Sequence, residues 1–165
     1  MFVFAFKTYV LPILDYCSSI WYPHKLHDID RLESVQRYYT KRLTGLWDVS
    51  YKDRLLYCDL TSLELRRLVF DIVLCYKIVY NLVGLNFSDF FELDKNTITR
   101  GHNLKLRIPK CKTSCRQQFF AVRVVPVWNA LSYELVNCHS LIQFKRDIKL
   151  FNLSKFLKRD FDVFN

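Results

Sequence analysis

The sequence predicts a mainly helical fold, a bundle of helices with one short extended segment near residues 103–108. Three observations carry that prediction. Apolar residues make up 51% of the chain and aromatic residues 16%, enough to bury a core. Only 3 glycines and 4 prolines punctuate 165 residues, so turns are few and segments long. Apolar side chains recur at three- and four-residue spacings over most of the length.

Residues 4–21 read as an apolar helix in which Pro12 either kinks the axis or begins a second piece. Pro23 breaks it. The next helix is amphipathic: Ile29, Leu32, Val35, Tyr39 and Leu43 fall on one face, with Ser34, Arg37 and Lys41 opposite. Asp28 is its expected N-cap and Gly45 its expected stop. Ser50 and Asp53 form a capping box for a short helix, and Thr61 and Glu64 another for the longest one. That long helix carries two apolar stripes, Leu65–Leu68–Val69–Ile72–Tyr76–Val79 and Phe70–Leu74–Ile78, so it is expected to lie packed between neighbours.

A loop and a single helical turn follow over residues 84–93. Then the period changes to two. Leu104, Leu106 and Ile108 alternate with Lys105 and Arg107, the pattern of a short strand or extended arm ended by Pro109. Residues 114–131 read as helical, disturbed by Pro126. Ser140 and Gln143 suggest a capping box for a last helix whose face is Leu141, Phe144, Ile148 and Phe151.

Charge divides the chain differently from hydropathy. Residues 1–95 hold 12 basic and 12 acidic side chains, and residues 96–165 hold 13 basic and 4 acidic. The whole net charge of +9 therefore lies after residue 95, which suggests a charge-neutral part, 1–95, and a basic part, 96–165, facing a polyanion. Seven cations from Arg100 to Arg123 meet no acidic residue between Asp94 and Glu134. Arg100, Lys105, Arg107, Lys110, Lys112, Arg116 and Arg123 are thus the candidate phosphate contacts, with His102 as a neutral donor beside them. Arg37 and Lys41 form a secondary basic face. Five engaged phosphates would give a log–log salt slope near −4 at roughly −0.9 each.

Other chemistry is thin. There is no Asp-Asp pair, no carboxylate cluster suited to magnesium and no glycine-rich phosphate loop, so no catalytic role and no cofactor are expected. His24, His27, Asp28 and Asp30 read as a polar turn. Cys111, Cys115, Cys138, His139 and His102 fit no compact zinc spacing and read as free thiols and ordinary histidines. Six scattered cysteines point to a reducing, intracellular setting, nuclear or cytoplasmic. The apolar start lacks a basic n-region and is interrupted by Lys7, Pro12 and Asp15, so neither a secretory signal nor a membrane span is expected; no membrane partner is expected, attachment to a membrane surface through Phe2, Phe4 and Phe6 with Lys7 being the weakest alternative.

The stretches YVLPILDYCSSIW, DIDRLESVQRYYTKRLTGL, SYKDRL, TSLELRRLVFDIVLCYKI, TRGHNLKL, RVVPVWNAL and SLIQFKRDI occur in that order from about Lys7 to about Leu150. Together they resemble the region after the polymerase core in jockey-like non-LTR (LINE) retrotransposon reverse transcriptases. The resemblance implies thumb-like helices and a C-terminal region that grips template RNA or RNA–DNA hybrid, as a fragment without the catalytic Tyr-Ala-Asp-Asp motif or the endonuclease. It places Arg100, Gly101 and His102 in one motif and Arg123, Trp128 and Asn129 in another, with Trp128 as a core aromatic. The alternative is a packing module that meets a polymerase core, or a second copy of itself, through residues 2–22. A truncated retroelement copy without a selected role is the remaining reading.

Overall fold

The computed structural model describes residues 2–94 and 101–162. They form a mainly helical fold: α1 (Phe2–Ala5), a π-helical turn (Phe6–Val10), α2 (Leu11–Asp15), α3 (Leu26–Lys41), α4 (Tyr51–Tyr57), α5 (Leu63–Val79), α6 (Phe87–Phe90), α7 (Ser114–Gln117), α8 (Phe120–Asn129), α9 (Tyr133–Val136) and α10 (Leu141–Asp147), with a 3-10 turn at Ser154–Phe156. The expected extended segment survives only as one antiparallel bridge, Leu93 to Leu106.

The chain divides into two compact units, Met1–Arg67 with Asn152–Asn165, and Leu68–Phe151. The division falls inside α5 and not at residue 95, where the charge balance changes. Core contacts, unlike charge, bring the last segment of the chain back to the first unit.

In the first unit, Pro12 sets the local geometry. It lacks an N–H and its ring crowds the preceding turn. The chain answers with a π turn in which the Leu11 N–H reaches back five residues to the Phe6 carbonyl. Helical structure continues to Asp15, six residues short of the expected end, and a turn with Cys17 at φ +50° follows. Arg67, buried at the start of α5, fixes that turn. Its guanidinium lies 3.8 Å from the centre of the Trp21 ring and donates to the Trp21 carbonyl (2.9 Å) and the Leu14 carbonyl.

Helix α3 departs from the sequence reading. It begins at Leu26, so Asp28 sits in its first turn and caps nothing. Its fully buried positions are Ile29, Glu33, Gln36 and Thr40, about one residue around the helix from the expected apolar face. Polar side chains are buried there because they serve the start of α5. The Glu33 carboxylate accepts from the Leu63 N–H (2.9 Å) and the Tyr51 hydroxyl, and the Gln36 amide donates to the Thr61 carbonyl (2.9 Å). A helix start leaves N–H groups without intrahelical partners, and a buried carboxylate supplies an acceptor.

Ser62, not Thr61, is the capping side chain: its hydroxyl oxygen accepts from the Leu65 N–H at 3.1 Å. Glu64 turns away from the box and accepts from the backbone N–H groups of Lys158 (2.9 Å) and Arg159 (3.1 Å). Asp162 accepts from the Ser62 N–H at 2.7 Å and from its hydroxyl. The Ser50 cap of α4 forms as expected, with Ser50 Oγ accepting from the Asp53 N–H at 3.2 Å.

In the second unit, Trp128, Phe144, Ile148, Tyr76 and Val124 are fully buried. Tyr76 stacks on Phe144 with ring centres 4.1 Å apart and donates its hydroxyl to the Cys138 carbonyl (2.5 Å). Helix α8 runs through Pro126, which lies on its exposed side. Ser140 makes no side-chain cap to α10, although the Phe144 and Ile148 face is buried as expected. All six cysteines are free, and burial pushes the Cys58 and Cys75 thiols up. No described helix is long and apolar enough to cross a membrane.

Candidate nucleic-acid interface

The basic segment is held by two residues at the end of α8. The Trp128 indole donates Nε1–H to the Leu104 carbonyl at 2.8 Å. The Asn129 side chain treats Leu106 as a strand partner would: Oδ1 accepts from the Leu106 N–H (2.8 Å) and Nδ2 donates to the Leu106 carbonyl (2.7 Å). On its other side the segment pairs with residues 92–94, through the Asp94 N–H to Lys105 carbonyl bond (2.9 Å) and the Arg107 N–H to Glu92 carbonyl bond (2.7 Å). The two motifs that the sequence shows 26 residues apart, around His102 and around Trp128, are therefore each other's partners. Gly101 starts the segment at φ +128°, a conformation in which a side chain is strained, and an added Cβ would lie 3.0 Å from Lys105 Cε.

This architecture sorts the candidate residues. Arg100 lies outside the described residues. His102 does not face a ligand: it is 2% exposed, its ring stands edge-on to Trp128, and its Nε2 lies 3.0 Å from the Trp128 carbonyl. Since that oxygen accepts, Nε2 carries the hydrogen. Burial lowers its pKa, with nearby Lys105 acting in the same direction, so the ring is neutral and structural.

Arg123 is likewise removed from the surface set. Its side chain is 11% exposed and donates Nε–H to the buried Asp71 carboxylate at 2.9 Å and a second bond to the Gln118 carbonyl at 2.6 Å. Arg107 remains exposed but forms a two-pronged pair with Glu92 (3.0 and 2.9 Å). Such a surface pair is worth roughly 0–1 kcal/mol and yields to a competing phosphate. Lys105 is half-buried alongside Gly101.

Lys110, Lys112 and Arg116 remain. All three are exposed, and no ion pair is formed by them among the described residues. Arg116 lies on α7, capped by the Thr113 hydroxyl, with its guanidinium 4.7 Å from the centre of the Phe119 ring. The secondary face also changes. Arg37 is wedged between the Tyr51 and Phe161 rings at 5.1 and 5.0 Å, while Lys41 stays exposed. The outward cation beside Lys41 is Arg42, 3.6 Å from the centre of the Tyr38 ring.

Sequence reasoning missed the acids that tie up Arg107 and Arg123, because Glu92 and Asp71 lie outside the acid-free run. It also left out Lys145, Arg146 and Lys149, exposed at the end of α10, although their cluster is plain in the sequence. By compact unit the second holds 12 basic and 6 acidic residues and the first 13 and 10, so the cationic excess still favours the second. No group of three metal-binding side chains occurs among the described residues. Comparison with protein-family profiles, curated proteins and solved structures yields no match.

Proposed function

We propose that this chain is a nucleic-acid-binding, non-catalytic part of a LINE-type reverse transcriptase, contacting template RNA or RNA–DNA hybrid through the basic segment of its second unit. The observation that supports this reading is the exposure of Lys110, Lys112 and Arg116 on a run without carboxylates, fastened at its base by Trp128 and Asn129. Flexible lysines and an exposed arginine neutralise phosphates and release counterions, and they carry no base information. Arg107 is paired with Glu92 and is not counted among these contacts.

The test is charge reversal. Lys110→Glu with Lys112→Glu and Arg116→Glu should weaken binding to an RNA–DNA hybrid by at least about 100-fold, since charge-assisted contacts are each worth roughly 1–2 kcal/mol. None of the three side chains is buried, so the fold should be retained by circular dichroism. The control reverses Lys25, Arg31 and Lys155, three exposed cations of the first unit, and should change affinity far less. Equal losses in both variants would mean that net charge alone, and not this segment, attracts the ligand.

A further inference from the structure

We infer that Phe119, backed by Arg116, is a stacking platform for an unpaired base, so that single-stranded nucleic acid gains a contact on the second unit that a duplex cannot make. The inference rests on the nucleic-acid reading above and narrows its ligand. A lone exposed aromatic side chain on a protein surface is ordinary. Three observations set this one apart.

The first is its place. Phe119 stands at the break between α7 and α8 and is 42% exposed, whereas the next residue, Phe120, is buried and meets Phe90 and Phe91 edge-on. The second is a fixed backbone. The Phe119 N–H donates to the Arg116 carbonyl (3.2 Å), and its carbonyl accepts from the N–H groups of Val122 (2.9 Å) and Arg123 (3.0 Å). The Gln118 carbonyl beside it accepts from the Arg123 guanidinium, which is itself held by the buried Asp71 carboxylate. A ligand therefore meets the ring without first ordering a loop.

The third is charge. The Arg116 guanidinium lies over the ring, 4.7 Å from its centre. Lys110, Lys112 and Arg116 are exposed, and no acidic residue occurs between Asp94 and Glu134. The face of an aromatic ring carries the negative part of its quadrupole, so it offers nothing to the carboxylates of an acidic protein. It suits a flat π-system. A base joined to phosphates supplies that π-system and the anion together, the base stacking on Phe119 while phosphates meet the lysines. In a duplex the bases are already stacked on one another, so the phosphates alone engage. Stacking tolerates every base, which keeps sequence preference weak.

Fluorescence anisotropy of the full chain tests this, with a short unstructured single-stranded RNA and an RNA–DNA hybrid of the same length as probes. Phe119→Ala should weaken binding of the single strand by about 5- to 150-fold and leave binding of the hybrid unchanged. Phe119→Trp should keep the single-strand affinity and add a tryptophan emission that the bound RNA quenches. Both variants should keep the helical circular dichroism of the wild type. A loss below about 5-fold for Phe119→Ala, an equal loss on both probes, or no added quenching for Phe119→Trp would each overturn the inference while the charge-reversal result stands. A wild type that binds neither probe would overturn it together with the nucleic-acid reading.

Discussion

Replacing Trp128 with alanine should lower the unfolding free energy of the second unit by about 3–5 kcal/mol, the range for removing a large core aromatic. The side chain is completely buried and packs against both His102 and Phe144. Its loss leaves a cavity and deprives the Leu104 carbonyl of its donor. The damage should not stop at the core. Residues 102–107 should lose hydrogen-exchange protection, because one of the two α8 residues that hold them is gone. Chemical denaturation followed by circular dichroism measures the first effect and amide exchange the second. A cost below about 1 kcal/mol would mean that the segment is held by something other than α8. Trp128→Phe should recover most of the packing without the Leu104 bond.

Stability of the first unit should fall as pH rises from about 4.5 to about 7, because Glu33 is an acid whose ionisation is resisted by its surroundings. The carboxyl is buried on α3, and that burial raises its pKa to about 7. The bonds from Tyr51 and the Leu63 N–H and the charge of Arg37 oppose the rise, and the charge of Asp162 adds to it. The unfolded chain releases this proton near the ordinary glutamate value. Between the two values the folded state holds a proton that the unfolded state has lost. The stabilisation is thus complete below the unfolded pKa and is lost as pH climbs through the folded one. The span corresponds to about 3 kcal/mol. Burial also raises Glu64 and Asp162, with the same sign. Glu33→Gln should therefore flatten the pH dependence relative to wild type when unfolding is compared at pH 5 and pH 7.5. Parallel curves for the two proteins would place the proton elsewhere.

The sequence was a good guide to helices and a poor one to which side chains serve them. Hydrophobic spacing located α3, α5 and α10 within a few residues, because a long amphipathic segment has few alternative ways to bury its face; the stretch 114–131, read as one helical piece, is instead two helices, α7 and α8, broken at Gln118 and Phe119. It misplaced the buried stripe of α3 because Glu33, Gln36 and Thr40 score as surface residues. Their burial is justified by the backbone of residues 61–63, which a periodicity argument cannot see. The extended arm was visible as an alternation, but its partners were not: one side is matched by a side-chain amide, Asn129, in place of a strand. The candidate interface was legible as a run of cations and over-read as a set of equals. His102 and Arg123 belong to the core of their unit, and Arg107 is shared with Glu92. Each of these outcomes depends on residues outside the run.

The set of exposed cations left by these corrections makes a quantitative claim: about three phosphates are engaged, fewer than the five that the sequence alone suggests. The most direct test is the salt dependence of affinity for an RNA–DNA hybrid, followed by fluorescence anisotropy between low and moderate sodium chloride. A log–log slope of about −3, at roughly −0.9 per phosphate on a duplex, is the expected result. A slope near zero would show that Lys110, Lys112 and Arg116 do not meet phosphate at all.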